Sequence, residues 1–287
     1  MGRYPVAGPL DVMASDEEYA SFYERLGREY PETEVVHSED PRRYQAVLRE
    51  ILPFAAGGRA MLDLGCNDGV FTIPYCRAGG SAHGVDISPS LVDKARAGAE
   101  GLDATFEVAN AEMYRPRKEF DLVLLSEVLE HVRHPDLVVR TVVAALRPGG
   151  HCLLTTPSAG PGLRFSRYLK QIVTAERLTR EITINTSNMI LGKEYGMGGL
   201  RYRHDSYYPT ALKRWLEGFG LQTVRLFTAT HSDTGRLPKM LKRMEARLDL
   251  SRIPLVNLFG ANVFVLVRKP GGTDSARDRS ARRPGDS

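Results

Sequence analysis

The stretch Met61-Leu62-Asp63-Leu64-Gly65-Cys66-Asn67-Asp68-Gly69-Val70-Phe71 most constrains how this chain can fold, because an apolar run ends there in a glycine turn that opens a helix. Glycines at such a turn let the backbone take positive φ and approach a ligand closely, while the next helix turns its free N–H groups toward it. The pattern predicts a nucleotide-like ligand at the carboxyl edge of a parallel sheet. The spacing is Asp-x-Gly-x-x-x-Gly rather than the Gly-x-Gly-x-x-Gly of dinucleotide sites. Asn67 stands where a middle glycine would admit a pyrophosphate, so a ligand without one is expected.

From Arg59 onward, strand-like and helix-like stretches alternate. Ala60 to Leu64, Ala82 to Asp86, Thr105 to Val108, Phe120 to Leu125 and His151 to Thr155 read as strands, with helices from Gly69, from Pro89 and over Pro135 to Leu146. This is the βαβ rhythm of an α/β, doubly wound parallel sheet. A short helix through Glu130 and a turn at Arg147-Pro148-Gly149-Gly150 are also expected. Later come a helix over Thr210 to Phe219 and strands over Gln222 to Phe227 and Asn262 to Arg268, the two strands forming a closing antiparallel pair.

Residues 1–54 are expected to form an N-terminal helical segment and 55–270 one domain, with cap insertions over about 157–209 and 230–258. From 271 to 287 no large apolar residue occurs, so a disordered tail is expected. A length of 287 residues with 42% apolar content fits one elaborated domain. Cys66, Cys76 and Cys152 are too scattered for a disulfide framework, and no signal core or membrane-length run occurs, so a cytoplasmic protein is expected. Basic residues from Arg164 to Arg214 could face an anionic partner, although a solvated surface is the favoured reading. The stripe Leu237, Met240, Leu241, Met244, Leu248 is read as packing on its own domain rather than on a membrane.

Five motifs in order resemble the class I S-adenosylmethionine-dependent methyltransferases. They are Leu62 to Gly69; Gly84-Val85-Asp86-Ile87-Ser88; Ala109-Asn110-Ala111-Glu112; Phe120 to Val132, with Ser126 at its strand end; and Leu146-Arg147-Pro148-Gly149-Gly150. The resemblance implies a mostly parallel seven-stranded Rossmann-like sheet and S-adenosylmethionine as cofactor. It further implies that Asp63, Gly65, Asn67 and Gly69 hold the methionine part, Asp86 and Ile87 the ribose, and Asn110 and Ala111 the adenine, with Ser126 near the methyl. A carboxylate such as Asp86 can accept both ribose hydroxyl protons.

Glu127, Glu130 and His131 have i, i+3, i+4 spacing and would share one face of a helix. His131 could act as general base toward a substrate hydroxyl, since its unperturbed pKa suits neutral pH. Alternatively Glu127, Glu130, His131 and His204 could bind a divalent metal such as Mg²⁺, as Glu-x-x-Glu-His resembles a motif of small-RNA 3′-end 2′-O-methyltransferases and also occurs in ubiquinone O-methyltransferases. His204 is a second catalytic candidate. Tyr19, Tyr23, Tyr30 and Tyr44 could supply an aromatic lid, although aromatic residues at this spacing are more often core.

The leading expectation is O-methylation of a small-molecule hydroxyl. RNA 2′-O-methylation, N- or C-methylation and a non-methylating adenosylmethionine-binding protein stay as alternatives.

Overall fold

A computed structural model describes residues 16–29, 41–158, 183–185, 205–229 and 262–271. Helices α1 (Asp16–Glu29) and α2 (Pro41–Ala55) precede the sheet. The alternating part runs β1 (Ala60–Leu64), α3 (Thr72–Arg77), β2 (Ser81–Asp86), α4 (Pro89–Gly98), β3 (Ala104–Val108), β4 (Phe120–Ser126), α5 (Pro135–Ala145) and β5 (Leu146–Pro157). There follow β6 (Thr183–Asn185), β7 (Asp205–Tyr207), α6 (Pro209–Glu217), β8 (Gln222–Ala229) and β9 (Asn262–Arg268).

A seven-stranded sheet runs in the order β3-β2-β1-β4-β5-β9-β8. Neighbours from β3 to β5 pair in parallel, whereas β9 is antiparallel to both β5 and β8. The doubly wound, mostly parallel sheet and the antiparallel closing pair are thus as the sequence predicts. β6 and β7 form a separate two-stranded ribbon.

Apolar residues on both faces explain why the central strands are largely buried. On β4, Leu122 and Leu124 join a core cluster with Val47 and Ile51 of α2, while Val123 and Leu125 join the cluster of α5 and α6. Successive side chains of a strand point to opposite faces, so one run serves both layers. The ion pair of Arg225 with Glu50 (2.8 Å) further ties β8 to α2.

Local boundaries differ from expectation at three places. The helix after the glycine turn starts at Thr72 instead of Gly69, because Asn67 and Gly69 hold positive φ and the chain cannot be helical until it has passed them. The segment after β4 is a turn and not a short helix, because Glu127 also has positive φ (54°). Arg147 to Gly150 belong to β5 as an irregularity in its register with β4, where Phe120 pairs Leu146 and Leu122 pairs His151.

Residues 159–182, 186–204, 230–261 and 272–287 lie outside the described residues, and with them most of both expected cap insertions and the tail. No helix among the described residues is long and apolar enough to cross a membrane. Cys66, Cys76 and Cys152 are free and buried.

Candidate functional site

The strand order reverses between β1 and β4, and doubly wound sheets bind ligands in the crevice at such a switch point. The turn after β1 stands at that crevice. Gly65, Asn67 and Gly69 have φ of 79°, 50° and 85°. The N–H groups of Gly65 and Cys66 both donate to the Val85 carbonyl, which binds the turn to the end of β2. A Cβ at Gly65 would collide with a methyl of Val128, so the glycine admits the neighbouring turn as well as a ligand. Asp63 is buried and accepts the Thr72 hydroxyl at 2.7 Å, fixing the first turn of α3 to β1.

Asp86 is half-buried at the end of β2. Its carboxylate accepts the N–H of Asn67 (2.8 Å) on one oxygen and that of Ser88 (2.9 Å) on the other. A carboxylate oxygen can accept more than one hydrogen bond, so this one is both held in place and able to take ligand hydroxyls. Ala109 donates its N–H to the Asp86 carbonyl, bringing the next loop alongside. Within that loop the Asn110 Oδ1 accepts the Glu112 N–H at 2.9 Å, so the NH₂ of Asn110 is the part suited to a base edge. Ile87 and Ala111 are half-buried on the same rim, and the Ser126 hydroxyl bonds that of Thr155 (2.9 Å). All these predicted cofactor residues therefore gather along the carboxyl ends of β1 to β4.

The turn from Glu127 to His134 forms the other side of the crevice. Glu127 is anchored to the sheet: its Oε1 accepts the Thr155 hydroxyl (2.9 Å) and its Oε2 the Asn262 amide (3.0 Å). Glu130 is buried and accepts the Thr156 hydroxyl at 3.0 Å. Burial, and then the negative charge of Glu127, push its carboxyl well above the usual range. His131 is half-buried, with Nε2 3.8 Å from Glu130 Oε1 and its ring 6.0 Å from that of Tyr23. Although the helix that would align them is absent, Glu130 and His131 still lie together.

Among the described residues no three His, Cys, Asp or Glu side chains are grouped to hold a metal ion. Glu127 carries one hydrogen bond on each oxygen, from Thr155 and from Asn262, and His204, the fourth predicted ligand, lies outside the described residues.

Helix α1 crosses the crevice. The Glu24 carboxylate accepts the Ser88 hydroxyl and the Ser90 N–H beside the β2 end, while the Tyr19 hydroxyl donates to the His131 carbonyl (3.4 Å) beside the β4 end. The Arg133 guanidinium stands 5.0 Å over the Tyr19 ring. Tyr44 instead stacks on Phe71 in the core, and Tyr30 lies outside the described residues.

Sequence reasoning missed Glu24, Glu112, Tyr207 and Asn262 as parts of this region. Each acts across a long sequence separation, as with the Tyr207 hydroxyl that donates to the Leu129 carbonyl at 3.0 Å. Only Glu112 stood within one of the five motifs.

The family model of the methyltransferase domain matches residues 36–226, more than half of the chain. The chain belongs to that family. The methyltransferase is 29% identical to the ubiquinone biosynthesis O-methyltransferase of Xanthomonas axonopodis pv. citri (strain 306) over 191 residues, 65% of this chain and 71% of that one. Its fold is shared with an S-adenosylmethionine-dependent methyltransferase from Mesorhizobium loti (TM-score 0.56, 22% identity, 80% of this chain and 99% of that one). It is shared too with the Burkholderia thailandensis 1,6-didemethyltoxoflavin-N1-methyltransferase, solved with 1,6-didemethyltoxoflavin and S-adenosylhomocysteine (TM-score 0.57, 14% identity, 90% and 92% of the two chains). The methyltransferase is thus an S-adenosylmethionine-dependent enzyme of class I, and the open glycine turn and rim carboxylate fit that cofactor.

Proposed function

We propose that this methyltransferase methylates a hydroxyl of a small metabolite, with His131 as the general base. The observation that carries the reading is the half-buried His131 imidazole on the turn whose Val128 packs against Gly65. The name of the relatives, ubiquinone biosynthesis O-methyltransferase, supports oxygen as the acceptor atom.

S-adenosylmethionine supplies an electrophilic methyl group on a sulfonium. Asp86 would hold the ribose, Asn110 the adenine edge, and Asp63 the ammonium directly or through water. Gly65, Asn67 and Gly69 give the backbone its close approach, Ile87 and Ala111 flank the ring systems, and Ser126 fixes the end of β4. His131 would take the acceptor proton as the oxygen attacks, and α1 would exclude water from above. Positioning of this kind supplies much of the rate in a displacement reaction.

A labelled-methyl transfer screen tests the reading. Acceptors should include phenols, sugar and polyketide-like hydroxyls, amines, acidic carbons and short RNAs, each with and without EDTA. The expected outcome is transfer to a small hydroxyl compound, with His131→Ala lowering kcat by about 10²- to 10⁴-fold, the usual worth of general acid–base catalysis. The EDTA arm decides whether a divalent ion such as Mg²⁺ takes part, and His204→Ala decides whether His204 does. Transfer to RNA alone, with affinity falling steeply with salt, would replace the small-molecule reading. Cofactor binding without transfer to any acceptor would replace catalysis with a binding role.

A further inference from the structure

Glu112 is a buried acid that the proposed chemistry does not use. It follows the adenine-side residues Asn110 and Ala111, in a turn closed by the Met113 and Tyr114 N–H groups on the Asn110 carbonyl (2.9 Å each). Its Oε1 accepts the backbone N–H of Arg133 at 2.6 Å and that of His134 at 3.2 Å. The His131 turn has other fastenings, but they hold its earlier part. Thr155 takes the Glu127 N–H, Tyr207 binds the Leu129 carbonyl and Tyr19 the His131 carbonyl. Among the described residues, Glu112 is the side chain that takes the N–H groups two and three positions after His131. Hydrogen bonds to an ionised acceptor are among the stronger ones, and geometry fixed by two donors on one oxygen resists rotation of the segment.

We propose that Glu112 is a positioning residue, clamping the turn that carries His131 to the loop that carries Asn110 and thereby setting the imidazole against the bound cofactor. The proposal rests on His131 acting as the base. It assigns Glu112 no contact with substrate or cofactor and no share in proton transfer.

Amide exchange by mass spectrometry on the full chain with saturating S-adenosylhomocysteine tests the clamp without any acceptor. In Glu112→Ala the segment 131–134 should exchange at least about tenfold faster, the factor that loss of one net hydrogen bond of about 1.4 kcal/mol produces, while β1 and β4 stay as protected as in the wild type. Glu112→Gln keeps an acceptor oxygen without the charge and should restore part of the protection. Glu112→Asp draws the carboxylate back by one methylene and should fall between, which keeps the test open if the alanine variant does not fold. With an acceptor found by the screen, kcat should drop about tenfold or more in Glu112→Ala while the KM for S-adenosylmethionine moves less, as expected when a group acts only through the reacting geometry. Unchanged exchange at 131–134 in the Ala and Asp variants, a uniform loss of protection across the sheet, or a Gln variant as impaired as Ala would overturn the clamp. Absence of methyl transfer by the wild type counts against His131 as base and is read separately from the exchange result.

Discussion

At the residue scale, Gly65 does two things that a side chain would prevent. Its φ of 79° lies in the left-handed region, and a Cβ would run into Val128. The conformation alone costs a non-glycine residue about 1–2 kcal/mol, roughly a factor of ten in binding if the turn responds by changing shape. Gly65→Ala should therefore weaken S-adenosylhomocysteine binding by about tenfold or more in calorimetry. Adding Val128→Ala removes the collision and leaves the φ strain, so the double variant should recover part of the affinity, and full recovery would show that φ is unimportant there. These residues were legible because the glycine turn and the strand ends mark them: Asp63, Gly65 and Gly69 lie within one turn, and Asp86 ends the next strand, where it closes on Asn67. Glu112 stands in the third motif without a readable role, because it bonds the Arg133 and His134 amides of another loop and not a ligand. A motif that marks ligand contacts carries no signal for a side chain that fastens one loop to another.

At the element scale, the strands were readable because doubly buried strands must be apolar on both faces, as Leu122 to Leu125 are. The turn after β4 was misread as helix for a physical reason. The helical spacing of Glu127, Glu130 and His131 is real, but Glu127 takes positive φ, and side-chain contacts with β5 and β9 compensate for a conformation that local propensity disfavours. The seating of α1 on the crevice was equally hidden, because its anchors are Glu24 with Ser88 and Ser90 on another element. Burial pushes the Glu24 carboxyl up, but bonds from the Ser88 hydroxyl, the Ser90 amide and Arg28 outweigh it and lower the pKa to about 2. A lowered acid contributes stability that is present above the ordinary value of 4.5 and is lost as pH falls toward 2. At neutral pH the anchor is complete, and Glu24→Ala should release α1. Trypsin should then cut at the exposed Arg25 and Arg28 several-fold faster, roughly as expected for loss of one or two charge-assisted bonds, with the sheet intact on the same gel. Equal cleavage rates in the variant and the wild type would mean that Tyr19 and packing hold α1 without Glu24.

For the whole molecule, the pH response of stability must be separated from that of catalysis before His131 can be assigned a limb of any rate profile. Two histidines outside the crevice destabilise the fold as pH falls, against the buried Glu130, whose raised carboxyl destabilises it as pH rises. His83 on β2 bonds Thr105, and burial, together with Lys118 and Arg117, lowers its pKa below the ordinary 6.5 despite the nearby Glu107. His151 on β5 is lowered by burial and by Arg268, Arg147 and Arg59. The unfolded chain takes up a proton at each near pH 6.5 while the folded chain still resists, so stability falls as pH drops through that value. The limiting slope is about 1.4 kcal/mol per pH unit for each group, and solvent screening at these partly exposed rings keeps the actual slope well below it. Relative to the wild type, a His83→Asn, His151→Asn double variant should therefore lose less, or gain more, in melting temperature as pH drops from about 7.5 to 5.5. Parallel melting profiles for the variant and the wild type across this range would refute the assignment. Where the double variant holds its fold at pH 5.5 yet still loses methyl transfer, the acid limb belongs to the crevice, and His131→Ala should then remove that limb along with the rate.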